Sequence, residues 1–357
     1  MIQRSLTVVL IVPTGIGAAI GGYAGDSLPV ARAIAEVADC LITHPNVMNG
    51  AQLYWPLANT LYVEGYGLDR FASGQWGLRP VHQNRVGLVF DRAIEPDLRL
   101  RHLQAADAAR ATLGLDLTDY VVTDAPLGVE LRKANSGATW GTIQNPGSLL
   151  RAVEQSLTQA KAEAIAVVAR FPDDSESDEL QAYRQGNGVD PLAGAEAVIS
   201  HLVVRTFQVP CAHAPALTPL PLDASLSPRS AAEEIGYTFL PCVLVGLSRA
   251  PQFVTSRNSF SQVVWADRVD AIVIPETACG GSAVLGFSRS GAQIITVREN
   301  KTRMNVPPDA LGIAAIQVNS YLEAVGVLVA YRAGISPATL RPELLPLTLA
   351  SHGSAIL

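Results

Sequence analysis

The chain has 357 residues, of which 48% are hydrophobic and 16% are charged, and its formal net charge is −6. This length predicts two domains or one large α/β domain, and the apolar content excludes general disorder. Because the charge balance is acidic, we predict no nucleic-acid partner.

The uncharged segment 5–25 has two interpretations: a signal peptide, or a buried strand followed by a glycine loop. Its strongly apolar run ends at Pro13, and five glycines follow within residues 15–25. Glycine destabilises the helix that a signal peptide forms, so the strand and loop are favoured. Because no other run of 18 apolar residues occurs, we predict no membrane partner.

Cysteine and lysine usage limits the classes of chemistry. The four cysteines, at 40, 211, 242 and 279, show no paired spacing, which indicates free thiols in a reducing compartment. The chain has three lysines and no P-loop motif, which disfavours a P-loop nucleotidase.

Short, continuous apolar runs alternate with helical patterns along the chain. Such runs are typical of strands covered on both faces, so we predict an α/β fold with a mainly parallel sheet and flanking helices. The predicted strands are 7–12, 41–43, 60–63, 86–90, 120–123, 164–169, 243–247, 271–274 and 294–297. The predicted helices are 29–40, 98–113, 148–162, 192–204, 230–235 and 313–333. Five prolines within 210–228 suggest a boundary between an N-terminal lobe, 1–209, and a C-terminal lobe, 210–357.

Two segments of the chain resemble each other. Residues 10–49 and 272–305 each read as a strand, a proline, a loop of small residues, a helix, a second strand and then asparagine. Either a βαβ unit is duplicated, giving two related lobes with a site between them, or two unrelated βαβ units are similar by chance.

The loop after the first strand carries glycines at 15, 17 and 21, a spacing that misses the dinucleotide fingerprint. Its backbone N–H groups either wrap a phosphate or carboxylate, or the loop is purely structural. Polar residues also follow the second and third strands, where parallel sheets bind ligands, and Glu64 and Asp69 add two carboxylates there. The predicted ligand-binding residues of this half are Thr14, Gly15, Gly17, Gly21, His44 and Asn46.

A second glycine loop, 276–282, lies before a probable helix. Cys279 is predicted near the helix N-terminus, where the helix dipole and Lys301 lower the pKa of a thiol. Three roles are open for it: a nucleophile or acid/base, a residue that lines a ligand site, or an inert buried thiol. If the flanking strands are neighbours, the residues after both strands face one crevice. The predicted catalytic residues are Cys279, Glu299 and Lys301; the predicted ligand-binding residues are Glu276, Thr277, Gly280, Gly281, Ser282 and Asn300. The turn that carries Glu299 and Lys301 has two interpretations: it binds a ligand, or it is a charged turn that only faces solvent.

The histidines do not indicate a metal site. His201 follows Glu196 by five residues rather than four, and Cys211-x-His213 lacks a third ligand nearby. We therefore predict no metal ligands, and the sequence identifies no cofactor.

Four strings of residues resemble a conserved domain family of unknown function found in cyanobacteria and related photosynthetic lineages. They are VPTGIG at 12–17, THPNVMN at 43–49, GVDPLAGAEAVISH at 188–201 and PCAHAPAL at 210–217. The resemblance spans nearly the whole chain and implies a soluble cytoplasmic protein of a photosynthetic cell. It implies no activity, substrate or catalytic residues.

Two functions follow as hypotheses. The first is an enzyme that binds a small anionic metabolite at the glycine loops, and the alternative is a non-catalytic ligand-binding or assembly protein. The apolar content fits either a homo-oligomer interface or a large core.

Overall fold

Two parallel β-sheets organise the chain. The computed structural model describes residues 5–50, 56–173, 177–235, 239–257 and 262–347. The first sheet has six strands: β1 (Thr7–Leu10), β2 (Cys40–Thr43), β3 (Thr60–Tyr62), β12 (Ala271–Pro275), β13 (Gln293–Val297) and β14 (Ala315–Val318). The second has four: β5 (Val86–Phe90), β6 (Leu117–Val122), β9 (Ala164–Arg170) and β10 (Cys211–Ala216). The predicted α/β fold with parallel sheets is confirmed.

The strand order of the six-stranded sheet is β14-β13-β12-β1-β2-β3, with every pair parallel. The order reverses between β1 and β12, so the two central strands diverge into separate βαβ halves. The two resembling segments are these halves, and they share one sheet rather than forming two lobes. A fold of this order does not by itself define an activity.

The two ends of the chain build the six-stranded sheet, and the middle of the chain builds the four-stranded sheet, in the order β10-β9-β5-β6. The predicted division into 1–209 and 210–357 does not follow the sheets. β12 pairs with β1, and β10, which begins within the proline-rich segment, pairs with β9.

Helices and two antiparallel pairs of strands complete the fold. The helices are α1 (Leu28–Val37), α2 (Pro45–Met48), α3 (Gly65–Ala72), α4 (Pro96–Leu113), α5 (Pro146–Thr158), α6 (Asp178–Arg184), α7 (Ala193–Phe207), α8 (Ala231–Ile235), α9 (Leu240–Ser248), α10 (Ser282–Phe287) and α11 (Tyr321–Arg332). The antiparallel pairs are β4 (Gly77–Arg79) with β11 (Gln252–Val254), and β7 (Val129–Lys133) with β8 (Thr139–Ile143).

Strand β1 shows why the apolar runs form a buried sheet. Val8 and Leu10 join one apolar cluster, whereas Val9 joins another on the opposite face, because successive side chains of a strand point to opposite faces. Both faces are covered, so the run contains no polar alternation. In the described part of the chain, no helix is long and apolar enough to cross a membrane.

Two predicted elements are wrong. Residues 243–247 were expected to form a strand but belong to helix α9, which is buried on nearly every side. The expected helix 313–333 is a strand, β14, followed by α11. A short apolar run does not distinguish a buried strand from a buried helix, so periodicity failed at both places.

Candidate functional site

A cavity of about 960 Å³ lies between the carboxyl end of the six-stranded sheet and the elements that pack on the four-stranded sheet. Residues that follow β1, β2 and β3, namely Thr14, His44 and Glu64, line one side. Ser200 of α7 and His213 of β10 line the other. The volume is that of a small-molecule site, which is typically about 300–1,000 Å³.

Helix α7 presents one face to this cavity. Glu196, Ala197, Ser200 and His201 stand at the spacings that place side chains on one side of a helix, and all four line the cavity. Ser200 is buried and half of His201 is exposed.

Two histidine–carboxylate pairs meet at the cavity. His201 Nε2 lies 2.9 Å from Glu64 Oε1, and His213 Nε2 lies 3.6 Å from Glu196 Oε2. Ser200 joins the pairs, since its Oγ lies 3.2 Å from His213 Nδ1 and 3.5 Å from Glu64 Oε1. The five side chains therefore form one continuous polar chain along the cavity wall.

Glu64 is held in place by the helix that it precedes. It is the N-cap residue of α3, and its Oε2 accepts hydrogen bonds from the backbone N–H groups of Tyr66 and Gly67. Gly65 allows His201 to approach, because a Cβ there would lie 2.8 Å from His201 Nε2. Burial lowers the pKa of His201, but the hydrogen bond and charge of Glu64 outweigh it, so the pKa is raised.

Three carboxyl groups crowd the side of the cavity near α6 and α8. Burial, with the charge of Glu196, raises the pKa of Asp190 to about 7. Burial and the charge of Asp190 raise the pKa of Glu233 well above its usual range. Glu233 accepts hydrogen bonds from the backbone N–H of Ala24 and the hydroxyl of Tyr183. At neutral pH this cluster therefore retains protons that exposed carboxylates release.

Asp190→Asn should raise the free energy of unfolding at pH 8 by about 1–3 kcal/mol. The folded state holds a proton on Asp190 between pH 4 and 7 that the unfolded state does not, so the stability that this group contributes falls as pH rises through that range. Asparagine keeps the acceptor for the N–H of Leu192, which donates to Asp190 Oδ1 at 2.8 Å. Urea unfolding at pH 4, 6 and 8 measures the effect.

Asp119→Asn, at an exposed position of β6, is the control and should change stability by less than about 0.5 kcal/mol. A lower stability of Asp190→Asn at pH 8 would contradict the prediction.

Several residues predicted from the sequence line the cavity. These are Thr14, His44, Asn46, Gly281 and Ser282, together with the two carboxylates Glu64 and Asp69. The prediction missed Ser200, His201, His213, Glu196 and Asp190 as members of one site. The i, i+4 pair Glu196 and Ser200 was a signal for a shared helix face.

The first glycine loop packs on the protein itself. Gly15, Gly17 and Gly21 all have positive φ, and a Cβ at Gly17 would lie 3.0 Å from the carbonyl oxygen of Gly188. The N–H of Gly21 donates to Asp26 Oδ1 at 2.6 Å. The chain's own carboxylate thus accepts from the N–H that was expected to bind an external anion, and the interpretation as a structural loop is favoured.

The expected low pKa of Cys279 is wrong. The side chain is fully buried in an apolar cluster, and its Sγ donates to the carbonyl oxygen of Glu276 at 3.5 Å. Burial, reinforced by the charge of Glu276, raises the pKa of the thiol to about 11. Helix α10 has only six residues, so its dipole does not offset burial. The thiol therefore stays protonated at neutral pH, which favours the inert interpretation.

Strands β12 and β13 are neighbours, which meets the condition for a shared crevice, but the residues after them hold the loops together. Asn300 is buried; its amide donates to the carbonyl oxygen of Ile20 and to the Tyr321 hydroxyl, and its Oδ1 accepts from the N–H of Ile20. The carbonyl oxygen of Lys301 accepts from the N–H of Ala19. The turn after β13 thus pairs with the first glycine loop where a ligand was expected.

The other residues predicted for this half have local partners. Glu276 pairs with Arg298, and the hydroxyls of Thr277 and Thr302 are 2.8 Å apart. Glu299 Oε1 accepts from the N–H of Tyr321. Lys301 is exposed, which fits the interpretation as a solvated charged turn. Gly280 does not line the cavity and lies against Val306.

In the described part of the chain, no group of three or more histidine, cysteine, aspartate or glutamate side chains is arranged to hold a metal ion.

Comparisons with known proteins identify relatives of the chain. The model of a protein family of unknown function, DUF3326, matches residues 7–341. An uncharacterized lipoprotein of Synechococcus sp. (strain ATCC 27144 / PCC 6301 / SAUG 1402/1) is 64% identical over 342 residues, which are 96% of this chain and 95% of the relative. No solved structure matches the chain significantly. The chain therefore belongs to the DUF3326 family, as its resemblance to a family of photosynthetic organisms implied.

Proposed function

We propose that the chain is an enzyme that transfers protons to and from a small molecule bound in the cavity between the two sheets. The observation that supports this most is the polar chain Glu196–His213–Ser200–Glu64–His201 along the cavity wall. Histidine and carboxylate side chains are the commonest general acids and bases, and they act when they lie within hydrogen-bonding reach of the substrate.

The two histidine–carboxylate pairs have different roles in the proposed proton transfer. The Glu64 carboxylate raises the pKa of His201, so His201 holds its proton closer to neutral pH and acts as the acid. Glu64 is the base that takes a proton from the substrate. His213, whose two ring nitrogens face Glu196 and Ser200, exchanges that proton with Glu64 through the Ser200 hydroxyl. Ser200 connects the pairs and returns the site to its starting protonation.

The charge of the cavity favours a neutral or cationic substrate over the anion expected from the sequence. Glu64, Asp69 and Glu196 line it, whereas the guanidinium of Arg184 is already paired with Glu234. An anion would face these carboxyl groups without a free cation among the lining residues that the structure describes. A substrate with hydroxyl, carbonyl or amine groups on a partly apolar body fits better.

The cytoplasmic location implied by the resemblance stays a prediction. The 64% identical relative is named a lipoprotein, which favours attachment to a membrane instead. The proposed chemistry does not depend on which location is correct.

The test is to incubate the protein with a metabolite extract of Synechococcus cells, in H2O and in D2O. Mass spectrometry then identifies metabolites that change in mass or gain deuterium. We expect at least one such metabolite with the wild type and none with the double variant Glu64→Gln/His213→Ala.

His82→Ala is the matched control, because His82 is exposed and does not line the cavity. It should retain wild-type conversion. A metabolite that stays bound to the wild type without changing would favour the non-catalytic binding protein.

A further inference from the structure

A buried histidine after β2 lines the cavity, and one of its two ring nitrogens has no hydrogen-bond partner in the described part of the protein. His44 is 8% exposed and lines the cavity. The backbone N–H of Val12 donates to His44 Nε2 at 3.0 Å. Since Nε2 is the acceptor, the proton of the neutral ring is on Nδ1.

The Nδ1–H group has no hydrogen-bond partner among the described residues. Burial lowers the pKa of His44 to about 4, so the ring is neutral at pH 7 and its tautomer stays fixed. Nδ1 keeps accessible surface toward the cavity, so its N–H donates to whatever acceptor occupies the cavity. A ligand in the cavity is such an acceptor.

We propose that His44 donates its Nδ1–H to a carbonyl oxygen of the substrate, which makes the substrate an enolisable carbonyl compound. This inference rests on the proposed function. His44 follows β2 and Glu64 follows β3, and these strands are neighbours in the sheet, about 5 Å apart. A carbonyl oxygen near His44 therefore has its adjacent carbon within reach of Glu64.

The step is a proton transfer that needs no further reactant. Glu64 takes a proton from the carbon beside the carbonyl, and the C–H electron pair forms a C=C bond. The carbonyl π pair moves onto the oxygen, whose negative charge the Nδ1–H of His44 stabilises. Return of the proton to carbon restores the carbonyl compound and the carboxylate. A neutral imidazole suits this role because it polarises the carbonyl without surrendering its proton.

Acetone is the probe, because it is a small enolisable carbonyl compound. We expect nuclear magnetic resonance of protein with ¹⁵N-labelled histidine to show the Nδ1–H tautomer of His44 and a saturable shift of that proton on acetone titration. Isopropylammonium, which has the same carbon skeleton but no acceptor oxygen, should leave the shift unchanged. We also expect the protein to accelerate exchange of the acetone methyl protons with D2O.

Two variants separate a structural role of His44 from a ligand-binding role. Gln in His44→Gln offers an acceptor to the N–H of Val12 but no donor in place of Nδ1, so it should keep the melting temperature and lose about 100-fold in exchange rate. Asn in His44→Asn offers a donor near Nδ1 but no acceptor for Val12, so it should melt lower and stay within about tenfold of the wild-type exchange rate.

The outcomes are distinct. An Nε2–H tautomer, equal shifts with acetone and isopropylammonium, or wild-type exchange by His44→Gln would overturn the role of His44, and the last of these would leave the proposed function standing. An acetone-dependent shift at His44 without any exchange would support the donor role and contradict the proposed function.

Discussion

Glu64→Gln and His213→Ala should each lower the rate of proton transfer about 100- to 10,000-fold, the usual contribution of a positioned acid or base. Glutamine keeps an acceptor for the N–H groups of Tyr66 and Gly67, so α3 stays capped while the carboxylate is lost. The rate of deuterium exchange, measured between pH 5 and 9, reports the effect. Because Glu64 raises the pKa of His201, which must be protonated to act as the acid, the alkaline limb of the profile should move to lower pH in Glu64→Gln.

The double variant tests whether the polar chain acts as one unit. Residues that act together show non-additive losses, so Glu64→Gln/His213→Ala should lose little more activity than the worse of its two single variants. Glu154→Gln, on the exposed face of α5, is the charge-matched control and should exchange at the wild-type rate. A double variant whose losses multiply would mean that the pairs act independently, and single variants with full rates would contradict the proposed mechanism.

The strands that could be predicted from sequence are those with an unbroken apolar run. Strand β1 and its neighbours are buried on both faces, and continuous apolar residues signal that environment directly. Strand β10 could not be predicted in this way because its sequence, CAHAPA, carries a histidine and a proline. The start of α11 carried a signal in Ser320 and Glu323, since Ser320 Oγ accepts from the N–H of Glu323.

The site residues that follow the strands of the six-stranded sheet could be predicted from their position in the sequence, and the other site residues could not. His44 and Glu64 come directly after parallel strands, whose carboxyl ends line ligand sites, so position in the sequence was enough. Ser200 and His213 reach the same cavity only because α7 and β10, which belong to the four-stranded sheet and its covering helices, lie against that edge. Local pattern contains no information on how two sheets meet.

At the glycine loops the sequence predicted the backbone conformation correctly, but it did not predict the group that the loops bind. Glycine spacing correctly indicated backbone that only glycine adopts easily, but it did not reveal which group occupies the space. Asp26 accepts from the N–H of Gly21, and Asn300 binds both backbone groups of Ile20. An internal carboxylate or amide satisfies a loop N–H as well as a ligand does, so loop geometry alone does not distinguish the two.

Gly21→Ala should lower the free energy of unfolding by about 3–5 kcal/mol, from backbone strain and overpacking together. Gly21 has a φ of +91°, and a Cβ there would lie 2.4 Å from Cγ1 of Val12. Val12 is fully buried in the core, so it cannot move aside without displacing its neighbours. Urea unfolding followed by circular dichroism measures the loss.

Substitutions at two other glycines separate the effect of backbone strain from the effect of overpacking. Gly74 has a φ of +73° with open space around its Cβ position, so Gly74→Ala should cost only the backbone strain, about 1–2 kcal/mol. Gly291, exposed in the turn before β13, has neither positive φ nor a neighbour within 4 Å, so Gly291→Ala should stay within about 0.5 kcal/mol of the wild type. If Gly21→Ala costs no more than Gly74→Ala, the contact with Val12 does not constrain the loop. The first glycine loop would then have room to rearrange around a ligand, and the anion site predicted from its glycines would regain support.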